Sequence, residues 1–232
     1  MTANLLSPPN QKVYGSITSG GSESLILALH TYKNYYSNRT KPNIVVPETI
    51  HAAVDKGCFY FNIECRKARI KPNFEVDIKH MESLMDSNTI MIAGSAGNFP
   101  HGIIDDITTI AKLGKRKNVG VHVDGCLGGF VISFSESLNL NLPPFSFKVD
   151  GVTSISIDHH KFGLAPKGVS AVFYKTKELR QSQYYCKMDW CGGVYGTPTI
   201  VGSRNAVGSA GAWYAFNRIT YDGYKQNALE IM

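Results

Sequence analysis

Between Gly20 and Tyr174 short β-branched runs alternate with helical stretches, and no other feature limits the fold as strongly. Strand-like runs fall at 43–46, 63–70, 89–93, 119–123, 152–157 and 169–174. Between them lie helical patterns, including an apolar stripe at Leu25, Leu29, Tyr32 and Tyr36 and a dipole-matched helix at 105–117. This order predicts an α/β fold, a mostly parallel sheet flanked by helices. The stretch 189–198 reads as irregular, a last helix at 206–218 carries Trp213 and Phe216 toward a core, and the chain stops at Met232 in a helical pattern with no cap.

A chain of 232 residues, 43% hydrophobic and 18% charged, fits one large domain or one domain with part of another. The net charge of +6 is scattered except at 112–117, so an anionic small ligand fits it better than nucleic acid does. Five cysteines, odd in number and without CxxC spacing, point to a reducing compartment and away from disulfides or structural zinc. No apolar run reaches membrane-span length, and no signal peptide opens the chain.

In a parallel sheet the loops after the strand ends share one rim, where ligands bind. Loops of interest on that rim are those at Asn98, Asp124 and Lys161. Asp158-His159-His160-Lys161 stops the 152–157 strand abruptly. A lysine placed there is expected to be partly desolvated, with a lowered pKa and a nucleophilic amine, although a solvated surface loop fits the same residues. Asp124 ends its strand before Gly125, and burying it requires a cation, a metal or a protonated ring nitrogen nearby. A metal is disfavoured, because no third ligand stands at metal-site spacing and His122 and Asp124 are taken to point to opposite faces. Gly20-Gly21 opening a helix offers amides to an anion, yet an ordinary turn with a serine N-cap explains the pattern alone more readily. His51 caps a helix or lies against a planar ligand.

An amine, a strand-end carboxylate and an anion cradle are what pyridoxal 5'-phosphate requires. The chain resembles the fold-type I enzymes of the group II decarboxylase superfamily, and within it the sphingosine-1-phosphate lyase family. The segments that carry the resemblance are 18–24, 51–53, 98–105, 122–130, 151–157, 160–168 and 197–204. By that resemblance Lys161 is the Schiff-base lysine, Asp124 pairs with the pyridinium and His51 stacks on the ring. Gly21, Ser22 and His160 hold the cofactor phosphate, and Gly202 and Ser203 reach that of a neighbouring protomer in a homodimer with shared sites. Lys167 matches a second lysine required for activity, and Asn98 and His122 line the substrate pocket.

The implied reaction cleaves a phosphorylated sphingoid base to a long-chain aldehyde and phosphoethanolamine. An amino-acid decarboxylase is the alternative, and a truncated, inactive remnant is a second. The family's pattern departs here at Gly97, at His159 in place of threonine, and at Asn205 in place of proline. The resemblance further implies one cofactor-binding large domain over 1–232, lacking an N-terminal segment and a C-terminal small domain. It places the protein on the cytosolic side, with full-length relatives at the endoplasmic reticulum and membrane contact only through segments absent here.

Overall fold

The computed structural model describes residues 1–232. Helix α1 (Thr2–Leu6) precedes β1 (Tyr14–Thr18), α2 (Gly21–Tyr35), β2 (Asn43–Pro47), α3 (Ala53–Phe61), β3 (Glu64–Ala68) and α4 (Ile78–Ser83). Then come β4 (Thr89–Ser95), α5 (Ile107–Lys117), β5 (Gly120–Asp124), α6 (Gly129–Ile132), a 3-10 turn (Glu136–Leu138), β6 (Ser154–Ile157) and β7 (Ser170–Tyr174). The chain closes with α7 (Lys177–Gln181), β8 (Tyr185–Trp190), β9 (Gly193–Thr197) and α8 (Val207–Ile231).

Seven strands form one sheet in the order β1-β7-β6-β5-β4-β2-β3. From β3 to β6 every pairing is parallel, while β7 runs antiparallel to both β6 and β1. The expected mostly parallel sheet is therefore present, and Ser95, Asp124 and Ser156 stand side by side near its carboxyl rim.

Both faces of this sheet are covered, which explains why its strands read as unbroken apolar runs. On β2, Val45 joins a core with Ile92, Val121, Ile107 and Ile110. Its neighbours Ile44 and Val46 point the other way, to Met91, Leu25, Leu29, Tyr32 and Val54. Burying each such side chain contributes roughly 1.5–3 kcal/mol. The stripe on α2 thus faces the sheet as its spacing implies.

Close approach of α2 depends on Gly120. A Cβ there would come within 2.1 Å of Tyr32 Cε1. That ring is 1% exposed. Its hydroxyl meets Ser154 Oγ and Thr153 Oγ1, both at 2.6 Å. Gly120→Ala is therefore expected to lower the urea midpoint, at a cost of about 2 kcal/mol. An unchanged midpoint would contradict this packing.

Three expectations are corrected. Residues 185–197 form a hairpin, β8 paired with β9, rather than irregular chain. Almost all of it is exposed, so burial leaves no alternating pattern to read. Helix α8 continues past Arg218, through a break at Thr220 (φ 65°), to Ile231. Its packed stripe runs through Ala212, Ala215, Phe216 and Ile219, and Trp213 falls outside it, 67% exposed. No helix is long and apolar enough to cross a membrane.

Candidate active site

A cavity of about 320 Å³ opens at the sheet rim, walled by the start of α2, His51, Cys126, Asp158, His160 and Lys161. Lys161 enters it from the loop after β6. That loop is pinned where His160 N donates to Val169 O and Val169 N donates to His160 Nδ1, both at 3.1 Å. Tyr224 of α8 donates to Gly163 O at 2.6 Å and holds the loop's far side. The Lys161 amine lies 3.0 Å from Asp158 Oδ2, and His160 Nε2 lies 3.4 Å from the same oxygen.

The expected lowering of the Lys161 pKa is corrected. Burial does pull the ammonium down, but the Asp158 carboxylate, with help from Cys126 and Asp124, outweighs it and the net shift is upward. Burial is likewise the main force on His160, lowering its pKa against the pull of Asp158. Asp158 carried no role in the sequence reading. Its signal was position: like Asp124, it is a carboxylate at a buried strand end.

Asp124 is 8% exposed, at the end of β5. Its Oδ1 accepts from Cys126 N at 3.0 Å and from Ser156 Oγ at 3.5 Å. It makes no ion pair within the chain, although its charge reaches the Lys161 amine. His122 shares Asp124's side of the strand, not the opposite one, because residues two apart in a strand face the same way. Its Nδ1 meets Ser154 Oγ at 2.7 Å and its Nε2 meets Ser156 Oγ at 3.2 Å. Both nitrogens are occupied beneath the sheet's α2 face, and the ring is 1% exposed. His122 therefore supports Asp124 through Ser156 and does not line the pocket.

The α2 terminus is built to receive an anion. Its N-cap is Gly20 (φ 155°), with no side-chain cap. Glu23 instead turns back to accept from Ser19 N at 2.6 Å. The amides of Gly21 and Ser22 have no acceptor in the chain and stand at the positive end of a 15-residue helix. A Cβ on Gly21 would press to 2.8 Å on the Asp158 carboxylate and 2.9 Å on Cys126 Sγ, so only glycine lets the helix come this close. The serine N-cap considered from the sequence is absent. His51 does cap: its Nδ1 accepts from Ala53 N at 3.1 Å, while its exposed ring borders the cavity.

Gly21, Ser22, His51, His160 and Lys161 are thus brought together, with Asp124 directly behind Cys126. Asn98 is buried in its own turn, accepting from His101 N at 2.9 Å, with Nδ2 unpartnered, and it does not wall the cavity. Lys167 is exposed and lies outside the cavity. Gly202 and Ser203 line a separate cavity of about 740 Å³ that touches the first at Ser19.

His159 and His122 give the fold a pH dependence. His159 is enclosed by Phe130 and Phe216, and its Nε2 meets Thr2 Oγ1 of α1 at 3.1 Å. Burial lowers its pKa from 6.5 to about 4, and that of His122 to about 3. Folded-state values below the unfolded one mean that stability is full above pH 6.5 and falls as the unfolded chain takes up protons. His159 alone is expected to cost about 3 kcal/mol by pH 4. Urea midpoints should hold from about pH 7.5 to about pH 6.5 and fall from there toward about pH 4.5, and fall less in His159→Phe. Equal midpoints across this range would contradict the burial of these rings.

Known proteins resemble this chain along its whole length. The pyridoxal-dependent decarboxylase conserved domain matches residues 1–232. The chain is 45% identical to the sphingosine-1-phosphate lyase of Dictyostelium discoideum, over all of this chain and 44% of that protein. It is 33% identical to a probable L-aspartate decarboxylase of Pyrococcus abyssi, over 96% of this chain and 58% of that one. Among solved structures, the Burkholderia pseudomallei K96243 sphingosine-1-phosphate lyase Bpss2021 superposes with a TM-score of 0.92 at 35% identity, over 98% of this chain and 54% of that one. The chain thus spans about half the length, or less, of the lyases it matches.

The residues present fit pyridoxal 5'-phosphate: an amine in the cavity, a buried carboxylate without a cation, and free amides at a helix terminus. From the match along all 232 residues, the chain belongs to the pyridoxal-dependent decarboxylase family, whose cofactor is pyridoxal 5'-phosphate.

Proposed function

We propose that this chain is the cofactor-binding core of a lyase that cleaves phosphorylated sphingoid bases to a long-chain aldehyde and phosphoethanolamine. The observation that carries the reading is Lys161 and the α2 cradle around one cavity, with Asp124 outside its wall at the end of β5 and bonded to the Cys126 amide, in a chain 45% identical along its length to a sphingosine-1-phosphate lyase. When bound, pyridoxal 5'-phosphate supplies an electron sink for the electrons released as the C2–C3 bond breaks.

The chain's own residues do the rest. Lys161 supplies the amine that anchors the cofactor and yields to the substrate's amine. Asp124, fixed by Cys126 N and Ser156, presents a carboxylate to a ring nitrogen and keeps it protonated. The Gly21 and Ser22 amides and His160 orient the phosphate, and His51 covers one ring face. Lys167 is assigned a supporting role in turnover, and Asn98 contributes through the turn it braces.

The active form is proposed to be a homodimer with shared sites. Gly202 and Ser203 stand outside their own chain's lysine cavity, and the hairpin beside them exposes Trp190, Val194 and Tyr195. A location on the cytosolic side is part of the same proposal.

Product analysis tests the substrate class. Incubation of the protein with sphinganine 1-phosphate and pyridoxal 5'-phosphate is expected to release long-chain aldehyde. Carbon dioxide release from an amino acid, with no aldehyde from the phosphorylated base, would support a decarboxylase instead.

A further inference from the structure

Asp158 is sealed beneath the cavity, 2% exposed. Its Oδ2 meets Lys161 Nζ at 3.0 Å and His160 Nε2 at 3.4 Å. Its Oδ1 is buried without a partner, and its carboxylate sits close under Gly21. The cofactor reading does not account for this group, because it requires one carboxylate and Asp124 fills that role. A buried carboxylate persists where a cation compensates it, and Lys161 is the only lysine or arginine within ion-pair distance.

We propose that Asp158 is a positioning residue that holds Lys161 as an oriented ammonium in the cavity and thereby sets the pH at which its amine becomes nucleophilic. The role rests on the reading of Lys161 as the anchoring amine, whereas its test does not. Only the neutral amine attacks a carbonyl, so the ion pair restrains the lysine against adventitious aldehydes at moderate pH. The other groups facing Lys161 are placed to do less. Asp124 and Cys126 act from the end of β5, more weakly than Asp158. Glu23 on α2 is turned to Ser19 N, with Arg204 at 3.9 Å. His51 stands at the mouth of the cavity, and His160 shares the Asp158 oxygen. Burial opposes the ammonium, and the upward net shift at Lys161 agrees with Asp158 prevailing.

Reductive methylation with formaldehyde and cyanoborohydride tests this without any cofactor. Labelling of each lysine is followed by peptide mass spectrometry from about pH 6 to about pH 11, bracketing the lysine range. Exposed Lys12 and Lys79 serve as references in the same chain. In the unaltered chain the Lys161 midpoint is expected above theirs. In Asp158→Asn it should fall by about one pH unit or more, giving roughly tenfold more Lys161 labelling at a fixed pH below the midpoint. Lys12 and Lys79 should not move.

An identical Lys161 midpoint in both proteins would overturn the proposal, and so would a midpoint in the unaltered chain below those of the references. If Asp158→Asn does not fold, that second comparison decides alone. Loss of the cofactor reading leaves this profile untouched. Normal cofactor binding with an unmoved profile removes only the role of Asp158.

Discussion

Lys161→Ala is expected to abolish turnover, with a loss on the order of 10⁴-fold or more, as when a nucleophile is removed from an enzyme. The chain should nonetheless stay folded. Lys161 is only half-buried, and its one close partner is Asp158. The loop around it keeps its shape through His160, Val169 and Tyr224, none of which depends on the lysine side chain. Aldehyde release should be lost while the fold persists at a lowered urea midpoint, because Asp158 stays buried without its one lysine partner. Substantial residual activity in this variant would place the anchoring amine elsewhere, and Lys167 would be the first residue to examine.

Asp124→Ala is expected to cost roughly 10²–10³-fold in turnover, the range seen when a preorganised charge-stabilising group is deleted. The reason is electrostatic. Asp124 is buried at the end of β5 with no cation of its own, and Ser156 and the Cys126 amide fix its direction. Without that carboxylate, the remaining buried carboxylate of the site, Asp158, is already engaged by Lys161 and His160. Asp124→Asn keeps the shape and removes the charge, so it should lose nearly as much. An Asn variant close to full activity would show that the carboxylate's charge is not what matters.

Much of this arrangement was legible in the sequence because strand ends are local events. Asp124-Gly125 and Asp158-His159 each break a buried β-branched run, and Gly20-Gly21 opens an apolar helical stripe. A parallel sheet then brings such loops to one rim without further information. Side-chain partners were not legible in the same way. The resemblance puts His122 in the pocket lining, yet both nitrogens are taken by Ser154 and Ser156, two residues of the neighbouring strand. Only the register of β5 against β6 shows that.

The Lys161 pKa followed the same logic. Burial alone lowers it, and the carboxylate that reverses the sign lies three residues earlier, folded back by a turn. The hairpin β8–β9 escaped because both of its faces are exposed, which removes the alternation that marks a half-buried strand. The helical pattern up to Met232 was legible, and what was not is its continuity with the 206–218 helix across the break at Thr220.

One small ring is proposed to sit between the Lys161 amine and the Asp124 carboxylate, with its phosphate at the start of α2. Titration of the purified chain with pyridoxal 5'-phosphate, followed by borohydride reduction and peptide mapping, addresses it most directly. Saturable uptake and a single modified lysine, Lys161, are expected, with Asp124→Ala binding more weakly. Modification spread over exposed lysines, or no uptake at all, would contradict it.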